Sequence, residues 1–190
     1  TEAQIRNRES TNRKSVLPCH LPPRVVSCGG TFIRRRCILA VLVAGVGYMG
    51  ARLVQELLAR GHEVVGLDNL FATDQQAIDL LAHDSRFCFM EGSITEPADV
   101  EAALAAAPVE TLYLYAAQAS AHPEAAPASY TEAANLVGPR VVLEAAVRAG
   151  VHTVVYASSF KVYGPTVVGT VAEDAPYGIF GDLSHLSKCY

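Results

Sequence analysis

A glycine turn between an apolar strand and a helix constrains this chain more than any other feature of its sequence. The turn, at residues 45–50, reads GVGYMG and follows a continuous apolar run over 38–44. Such a run is typical of a parallel strand covered on both faces. The helix after the turn is predicted to end near Gly61, and a second strand over 63–67 leads to Asp68. The pattern predicts a strand–helix–strand unit in which the glycine turn connects the first strand to the helix.

The three glycines have separate predicted roles. Gly45 allows the tight turn, Gly47 lets the backbone approach a pyrophosphate, and Gly50 lets the helix pack close to the strand. Asp68 lies eighteen positions after Gly50, where its carboxylate can accept hydrogen bonds from both ribose hydroxyls of an adenosine. The same charge repels a 2′-phosphate. Although the glycine pattern alone is weak, its setting predicts dinucleotide binding, with NAD favoured over NADP.

Strands and helices continue to alternate after Asp68. Further strands are predicted over 86–91, 111–116 and 153–158, and helices over 74–83, 95–107 and 129–149, with Thr95 as an N-cap, Pro97 in a first turn and Gly150 as a stop signal. This alternation predicts an α/β fold, a Rossmann-type doubly wound parallel sheet. Ligands of such a sheet lie beyond the carboxyl ends of its strands, near the point where strand order reverses.

Charge divides the chain of 190 residues into two parts. Residues 1–37 carry eight Lys and Arg against two Glu, whereas residues 38–190 carry seven Lys and Arg against seventeen Asp and Glu. An acidic body of one domain gives no reason to expect nucleic-acid binding, and no apolar run is long enough to span a membrane. The five cysteines form no C-x-x-C pair, which argues against a disulfide framework or a metal site. We therefore expect a cytoplasmic protein.

Residues 1–37 show no sustained hydrophobic period. A transit peptide fits poorly because Glu2 and Glu9 are acidic. A secretory signal would have to use the apolar run that forms the first strand, and its cleavage would destroy the glycine turn. The favoured interpretation is a disordered basic leader, or an extension not native to the domain. Residues 38–190 then form the NAD-binding domain.

Several segments together resemble the extended short-chain dehydrogenase/reductase family, the NAD-dependent epimerases and dehydratases that act on nucleotide sugars. The resemblance covers about residues 38–190 and rests on these stretches: 41–69, 91–95 (EGSIT), 115–118 (YAAQ), Asn135, and 156–164 (YASSFKVYG). It implies that the cofactor contacts come from Gly45, Gly47, Tyr48, Met49, Gly50, Asp68, Asn69, Leu70, Ser93, Ile94, Ala116, Ala117, Gln118, Asn135 and Lys188.

The resemblance also implies a mechanism of transient oxidation. In the family a tyrosine takes a proton from a sugar hydroxyl while hydride passes to the nicotinamide, and a lysine four residues later lowers the pKa of that tyrosine. Ser159 stands at the place of the Ser or Thr that binds the reacting oxygen, and Lys188 stands at the place of the lysine.

The chain departs from the family at the tyrosine, because Ser184 occupies that place. A serine hydroxyl is far less acidic than a phenol, whose pKa is about 10. Tyr177, in a nearby loop, is a candidate surrogate. Two smaller departures are Ala44, where the family has a glycine, and Ser93, where it prefers an aspartate facing the adenine.

The chain ends at Tyr190, whereas the family continues through further strands and a substrate domain. We therefore expect a sheet that is incomplete at its C-terminal side, in a fragment or remnant of a longer enzyme. The predicted function is an NAD-dependent nucleotide-sugar epimerase or dehydratase, with a nucleotide sugar as partner and a homodimer left open. Two alternatives remain, a non-catalytic NAD-binding protein and an atypical reductase of the family.

Overall fold

The computed structural model describes residues 39–120, 125–164, 168–178 and 183–189, the last segment without the side chains of 183–185. The leader predicted over 1–37 lies outside the described residues, so that prediction and the domain boundary beside it stay predictions.

Strands and helices alternate as the sequence predicted. The strands are β1 Ala40–Ala44, β2 Val64–Asp68, β3 Phe87–Glu91, β4 Val109–Leu114 and β5 Thr153–Tyr156. The helices are α1 Tyr48–Ala59, α2 Gln75–Leu81, α3 Pro97–Ala105, α4 Ala128–Glu132, α5 Gly138–Ala149 and α6 Leu183–Cys189. A π-helical turn, Ala133–Val137, joins α4 to α5, and a 3-10 turn, Phe160–Tyr163, follows β5.

All five strands pair in parallel in the order β3-β2-β1-β4-β5. The predicted α/β fold with a doubly wound parallel sheet is therefore confirmed. The strand order reverses between β1 and β4, and the crevice for a ligand lies at the carboxyl ends of these two strands. In the part of the chain that the structure describes, β5 pairs only with β4 and forms an edge of the sheet.

The sheet buries a separate apolar cluster on each face. Along β1, Val41 and Val43 pack with α1 and α2, whereas Leu42 and Ala44 pack with residues of α3 and α5. Successive side chains of a strand point to opposite faces, so an entirely apolar strand serves both clusters. This double burial fixes β1 at the centre and fixes the position of the turn that follows it.

Helix ends confirm most of the predicted signals. Gly61 and Gly150 have φ values of +87° and +73° where α1 and α5 end, and Pro97 opens α3. The N-cap of α3 is Glu96, however, and not Thr95. The Thr95 hydroxyl is instead 2.8 Å from the Ser93 hydroxyl, so it belongs to the preceding turn.

Cys88, on β3, is 5% exposed and belongs to the buried core. Within the described segments, no helix combines the length and the apolar character needed to cross a membrane.

Candidate cofactor and active site

The glycine turn lies where the strand order reverses. Gly45 has a φ of +99°, in the left-handed region, and its N–H donates to the Leu67 carbonyl oxygen at 2.8 Å. A Cβ at Gly45 would lie 2.3 Å from the backbone nitrogen of Ala116. The backbone conformation and the approach of the loop after β4 therefore both exclude a side chain at this position.

Gly50 and Gly47 differ in the space around them. A Cβ at Gly50 would lie 1.9 Å from the Gly45 carbonyl oxygen, so α1 packs directly on the turn, as the sequence predicted. A Cβ at Gly47 would meet only the Thr73 hydroxyl, at 3.5 Å, among the described residues. Gly47 thus borders open space into which a phosphate can fit.

The first turn of α1 offers its backbone to an anion. Gly47 is the N-cap, no side chain caps the helix, and no residue of its first turn is acidic. The side chains of Tyr48 and Met49 are 93% and 65% exposed. No side chain of the described residues is recorded as bonded to the N–H groups at this end, and the helix dipole favours negative charge there.

Asp68, the last residue of β2, connects the turn to the next loop. Its Oδ2 accepts a hydrogen bond from the Val46 N–H at 2.7 Å, and its Oδ1 accepts one from the Leu70 N–H at 2.8 Å. Each carboxylate oxygen retains a further lone pair. Because Asp68 is only partly buried, those lone pairs can accept hydrogen bonds from a ribose at the same edge of the sheet.

The loop after Asp68 is held against α4. Leu70 has a φ of +56°, the one positive value recorded for a non-glycine residue in the described chain. The Asn69 Nδ2 donates to the Tyr130 hydroxyl at 3.1 Å. The predicted site residues Asn69 and Leu70 therefore lie in a loop whose backbone is strained and whose position depends on a distant tyrosine.

Ser93 and Ile94 follow β3. The Ser93 hydroxyl pairs with that of Thr95 at 2.8 Å, and the Ser93 N–H donates to the Asp99 Oδ2 at 3.0 Å. Ile94 is buried in the core beside Gly138. A Cβ added at Gly138 would lie 2.5 Å from the Ile94 Cδ1. The hydroxyl predicted to face an adenine is therefore already engaged in a local turn.

The loop after β4 borders the other side of the turn. The Ala116 N–H donates to the Ala44 carbonyl oxygen at 2.8 Å, and Ala117 beside it is exposed. Gln118 is fixed by Asn135, whose Oδ1 accepts from the Gln118 N–H at 2.8 Å and whose Nδ2 donates to the Gln118 carbonyl at 3.0 Å. This pairing holds the backbone of the loop as a neighbouring strand would.

Asn135 also reaches the lysine-bearing helix. It lies in the π-helical turn, is 4% exposed, and donates its second Nδ2 hydrogen to the Ser187 Oγ at 2.8 Å. Both amide hydrogens are thus used within the protein. The Asn135 Oδ1 keeps a second lone pair that can accept a hydrogen bond from a ligand, and the prediction that Asn135 contacts the cofactor stays a prediction. Turns of π-helix are common at functional sites.

Lys188 lies on α6 next to Ser187 and is half-buried. Burial lowers its pKa, and the positive charge of Lys161 lowers it further. Ser159 caps the 3-10 turn, where its Oγ accepts from the Lys161 N–H at 3.3 Å. The structure therefore brings a second lysine, which was not predicted, to the neighbourhood of Ser159 and Lys188.

A serine stands at the place where the resemblance implies a tyrosine. Ser184 lies on α6, four residues before Lys188, but its side chain is outside the described residues. Tyr177 is 61% exposed, and its role as a surrogate stays a prediction. No three His, Cys, Asp or Glu side chains of the described segments form a group able to hold a metal ion.

Two residues of the site were missed by sequence reasoning. The only sequence signal for Lys161 is its position two residues after Ser159. Tyr130 gives no signal of its own, because its partner Asn69 lies 61 positions away and only the packing of α4 brings the two together.

Comparison with known proteins gives a family for this arrangement. Residues 41–183 match the model of the NAD dependent epimerase/dehydratase family. This stretch includes the glycine turn, Asp68, Asn135 and Ser159, and it stops just before Ser184.

Individual relatives agree with the family match. A UDP-glucose 4-epimerase of Mycolicibacterium smegmatis is 35% identical over 140 residues, which are 73% of this chain and 44% of that protein. Among solved structures, the chain matches a UDP-glucose-4-epimerase from Stenotrophomonas maltophila with bound NAD and formylated UDP-arabinopyranose. The TM-score is 0.72 and the identity 26%, over 80% of this chain and 46% of the other.

A second structure, the Thermus thermophilus UDP-glucose 4-epimerase in complex with NAD, gives a TM-score of 0.68 at 30% identity. The match covers 79% of this chain and 47% of that one. The chain therefore spans less than half the length of the relatives it matches here.

Proposed function

Because this chain belongs to the NAD dependent epimerase/dehydratase family, we propose that it binds NAD and that the full-length protein acts on a nucleotide sugar. The finer proposal is epimerisation or dehydration of the sugar by transient oxidation. A UDP-hexose is the first substrate to test, since the relatives named above are UDP-glucose 4-epimerases.

The observation that carries the proposal is the bond between Asp68 and the glycine turn. The Val46 N–H donates to the Asp68 carboxylate at 2.7 Å, so the acid for the ribose and the turn for the phosphates form one unit. The direct cofactor contacts are proposed to come from Gly45, Gly47, Tyr48, Met49, Gly50, Asp68, Asn69, Leu70, Ser93, Ile94, Ala116, Ala117, Gln118 and Lys188. Asn135 is proposed as a further contact, through the remaining lone pair of its Oδ1, and it also holds the Gln118 backbone.

The proposed phosphate contacts follow from the start of α1. Gly47 leaves room for the pyrophosphate, and the uncapped N–H groups of the first turn donate to it. Asp68 accepts from the ribose hydroxyls, and its charge repels a 2′-phosphate. The crevice therefore selects NAD over NADP by the charge of a single side chain.

The proposed chemistry uses the far side of the crevice. When bound, NAD supplies the acceptor and donor of hydride. The Ser159 hydroxyl binds the reacting sugar oxygen, and the Lys188 ammonium stabilises negative charge that develops beside it. Ser184 is a poor general base near neutral pH because its hydroxyl is much less acidic than a phenol. Tyr177 is therefore the proposed proton acceptor.

A second candidate function has one observation in its favour. With Ser184 at the place of the tyrosine, the chain retains the cofactor features while lacking the usual base. This combination fits a non-catalytic NAD-binding protein. An atypical reductase that uses another acid is the third candidate.

We expect Asp68→Ala to weaken NAD binding by about 1–3 kcal/mol, the value of one or two hydrogen bonds to a charged group. The same change removes the repulsion of a 2′-phosphate, so the preference for NAD over NADP falls. Isothermal titration calorimetry with both cofactors measures each effect. The matched control is Asp79→Ala, an exposed carboxylate on α2. Unchanged NAD affinity in Asp68→Ala would refute the assignment of Asp68.

Incubation of the full-length protein with NAD and a panel of UDP-, GDP- and dTDP-sugars tests the catalytic proposal. We expect an epimer or a keto intermediate from at least one sugar, detected by NMR of the products. The same panel is given to the variant Ser184→Tyr, which has the tyrosine that serves as general base in the family. No reaction by the unchanged protein together with turnover by Ser184→Tyr would overturn the catalytic proposal and favour the non-catalytic one.

A further inference from the structure

We propose that Tyr130 is a positioning residue for the adenosine half of the cofactor: it holds the loop after β2 so that Asp68 faces the ribose. The inference rests on the proposed NAD site and deepens it. The residues concerned are Asn69, Phe71 and Tyr130, here called the Tyr130 clamp.

The loop after β2 contains a residue with a strained backbone. Leu70 has a φ of +56°, a value that leucine rarely adopts because its Cβ then crowds the backbone. In that conformation the Leu70 N–H donates to the Asp68 Oδ1 at 2.8 Å. A strained residue keeps its conformation only when its surroundings impose it. The bond that orients Asp68 therefore depends on contacts from outside the loop.

The Tyr130 clamp supplies those contacts on both sides of Leu70. Before it, the Asn69 Nδ2 donates to the Tyr130 hydroxyl at 3.1 Å. After it, the Phe71 ring stacks on the Tyr130 ring, with centroids 4.1 Å apart and planes 22° from parallel. The Asn69 Oδ1 also accepts from the Phe71 N–H at 3.1 Å. One side chain of α4 thus fixes both neighbours of the strained residue.

The charge state of Tyr130 suits this role. Burial raises the pKa of its phenol; the hydrogen bond from Asn69 opposes this shift, and the negative charge of Asp68 adds to it. The phenol therefore stays protonated near neutral pH and places no second negative charge beside Asp68. A phenolate there would repel the carboxylate that the clamp has to orient.

The position of Tyr130 along the chain links the two ends of the crevice. Tyr130 lies on α4, and Asn135 lies five residues later in the π-helical turn that continues it. Tyr130 holds the loop after β2, and Asn135 holds the loop after β4. The same helical segment therefore sets both loops between which a dinucleotide would lie.

The test uses Tyr130→Ala, which removes the ring, and Tyr130→Phe, which keeps the stack on Phe71 and removes the hydroxyl. The dissociation constants of NAD and NADP are measured by calorimetry. In Tyr130→Ala we expect NAD to bind about tenfold more weakly while NADP changes little, so that selectivity falls about tenfold. In Tyr130→Phe we expect NAD to bind about threefold more weakly. The matched control is Tyr113→Phe, a half-buried tyrosine of β4, which should change neither constant.

Hydrogen exchange of the Leu70 amide in the ligand-free protein gives a readout that needs no cofactor. We expect exchange at least about tenfold faster in Tyr130→Ala, because the bond to Asp68 opens more often. Unchanged Leu70 protection and unchanged NAD selectivity in both Tyr130 variants would overturn the inference. If the Leu70 amide exchanges faster in Tyr130→Ala but the unchanged protein binds no NAD, the Tyr130 clamp is supported and the proposed NAD site is refuted. Failure of the clamp and failure of the NAD site therefore give different results.

Discussion

Replacing Gly45 by alanine should destabilise the protein by about 2–5 kcal/mol and remove measurable NAD binding at concentrations that saturate the unchanged protein. Two costs add. An alanine at a φ of +99° is strained, and its Cβ would lie 2.3 Å from the Ala116 backbone nitrogen. Since the obstacle is backbone, no side-chain rotation relieves it, and the turn must move away from the loop after β4. Urea unfolding and an NAD titration measure the two effects.

The matched control is Gly150→Ala. Gly150 also has a positive φ, +73°, but a Cβ there would meet nothing within 4 Å. Gly150→Ala should therefore have only the conformational cost of about 1–2 kcal/mol, without a steric clash. NAD affinity should be unchanged in this variant. Gly150 lies between α5 and β5, at the amino end of β5, whereas the crevice lies at the carboxyl ends of the strands. Equal destabilisation in Gly45→Ala and Gly150→Ala would contradict the close approach of the turn to β4.

Replacing Asn135 by leucine should cost about 2–5 kcal/mol of unfolding free energy. Leucine keeps the size of the side chain but removes three hydrogen bonds, two to the Gln118 backbone and one to Ser187. The Gln118 N–H and carbonyl then lose their partner in a part-buried position, which is costlier than the loss of an exposed bond. Thermal and urea unfolding give the change in stability.

Gln118→Leu is the control for Asn135→Leu. It removes an amide from the same pair of residues but leaves the Gln118 backbone bonded to Asn135, so the expected cost is below about 0.5 kcal/mol. A comparable loss of stability in the two variants would show that the Asn135 bonds do not hold the loop after β4. The structure predicts a clear difference, because only Asn135 reaches both the loop and α6.

The parts of the fold that the sequence predicted correctly depend on local signals. The strand before the glycine turn is apolar throughout because both faces of β1 are buried. Gly61 and Gly150 end their helices with positive φ values, as isolated glycines after apolar periods suggest. Gly45 and Gly50 leave no room for a side chain, for the reasons that the motif itself implies.

The parts that the sequence missed depend on contacts between distant positions. The bond from Asn69 to Tyr130 spans 61 positions, and the bond from Asn135 to Ser187 spans 52. No periodicity or spacing encodes such pairs; they exist only once α4 and the π-helical turn pack over the sheet. Ser93 has a local partner that the sequence did not predict: its hydroxyl pairs with that of Thr95, two positions away.

We propose that the crevice at the carboxyl ends of β1 and β4, next to Asp68 at the end of β2, binds NAD and rejects NADP through the Asp68 carboxylate. Calorimetric titration of this chain with NAD and with NADP, under identical conditions, tests it most directly. We expect one NAD site per chain and an NADP affinity at least about tenfold lower, because a 2′-phosphate meets the Asp68 carboxylate. Absence of NAD binding, or equal affinity for the two cofactors, would contradict it.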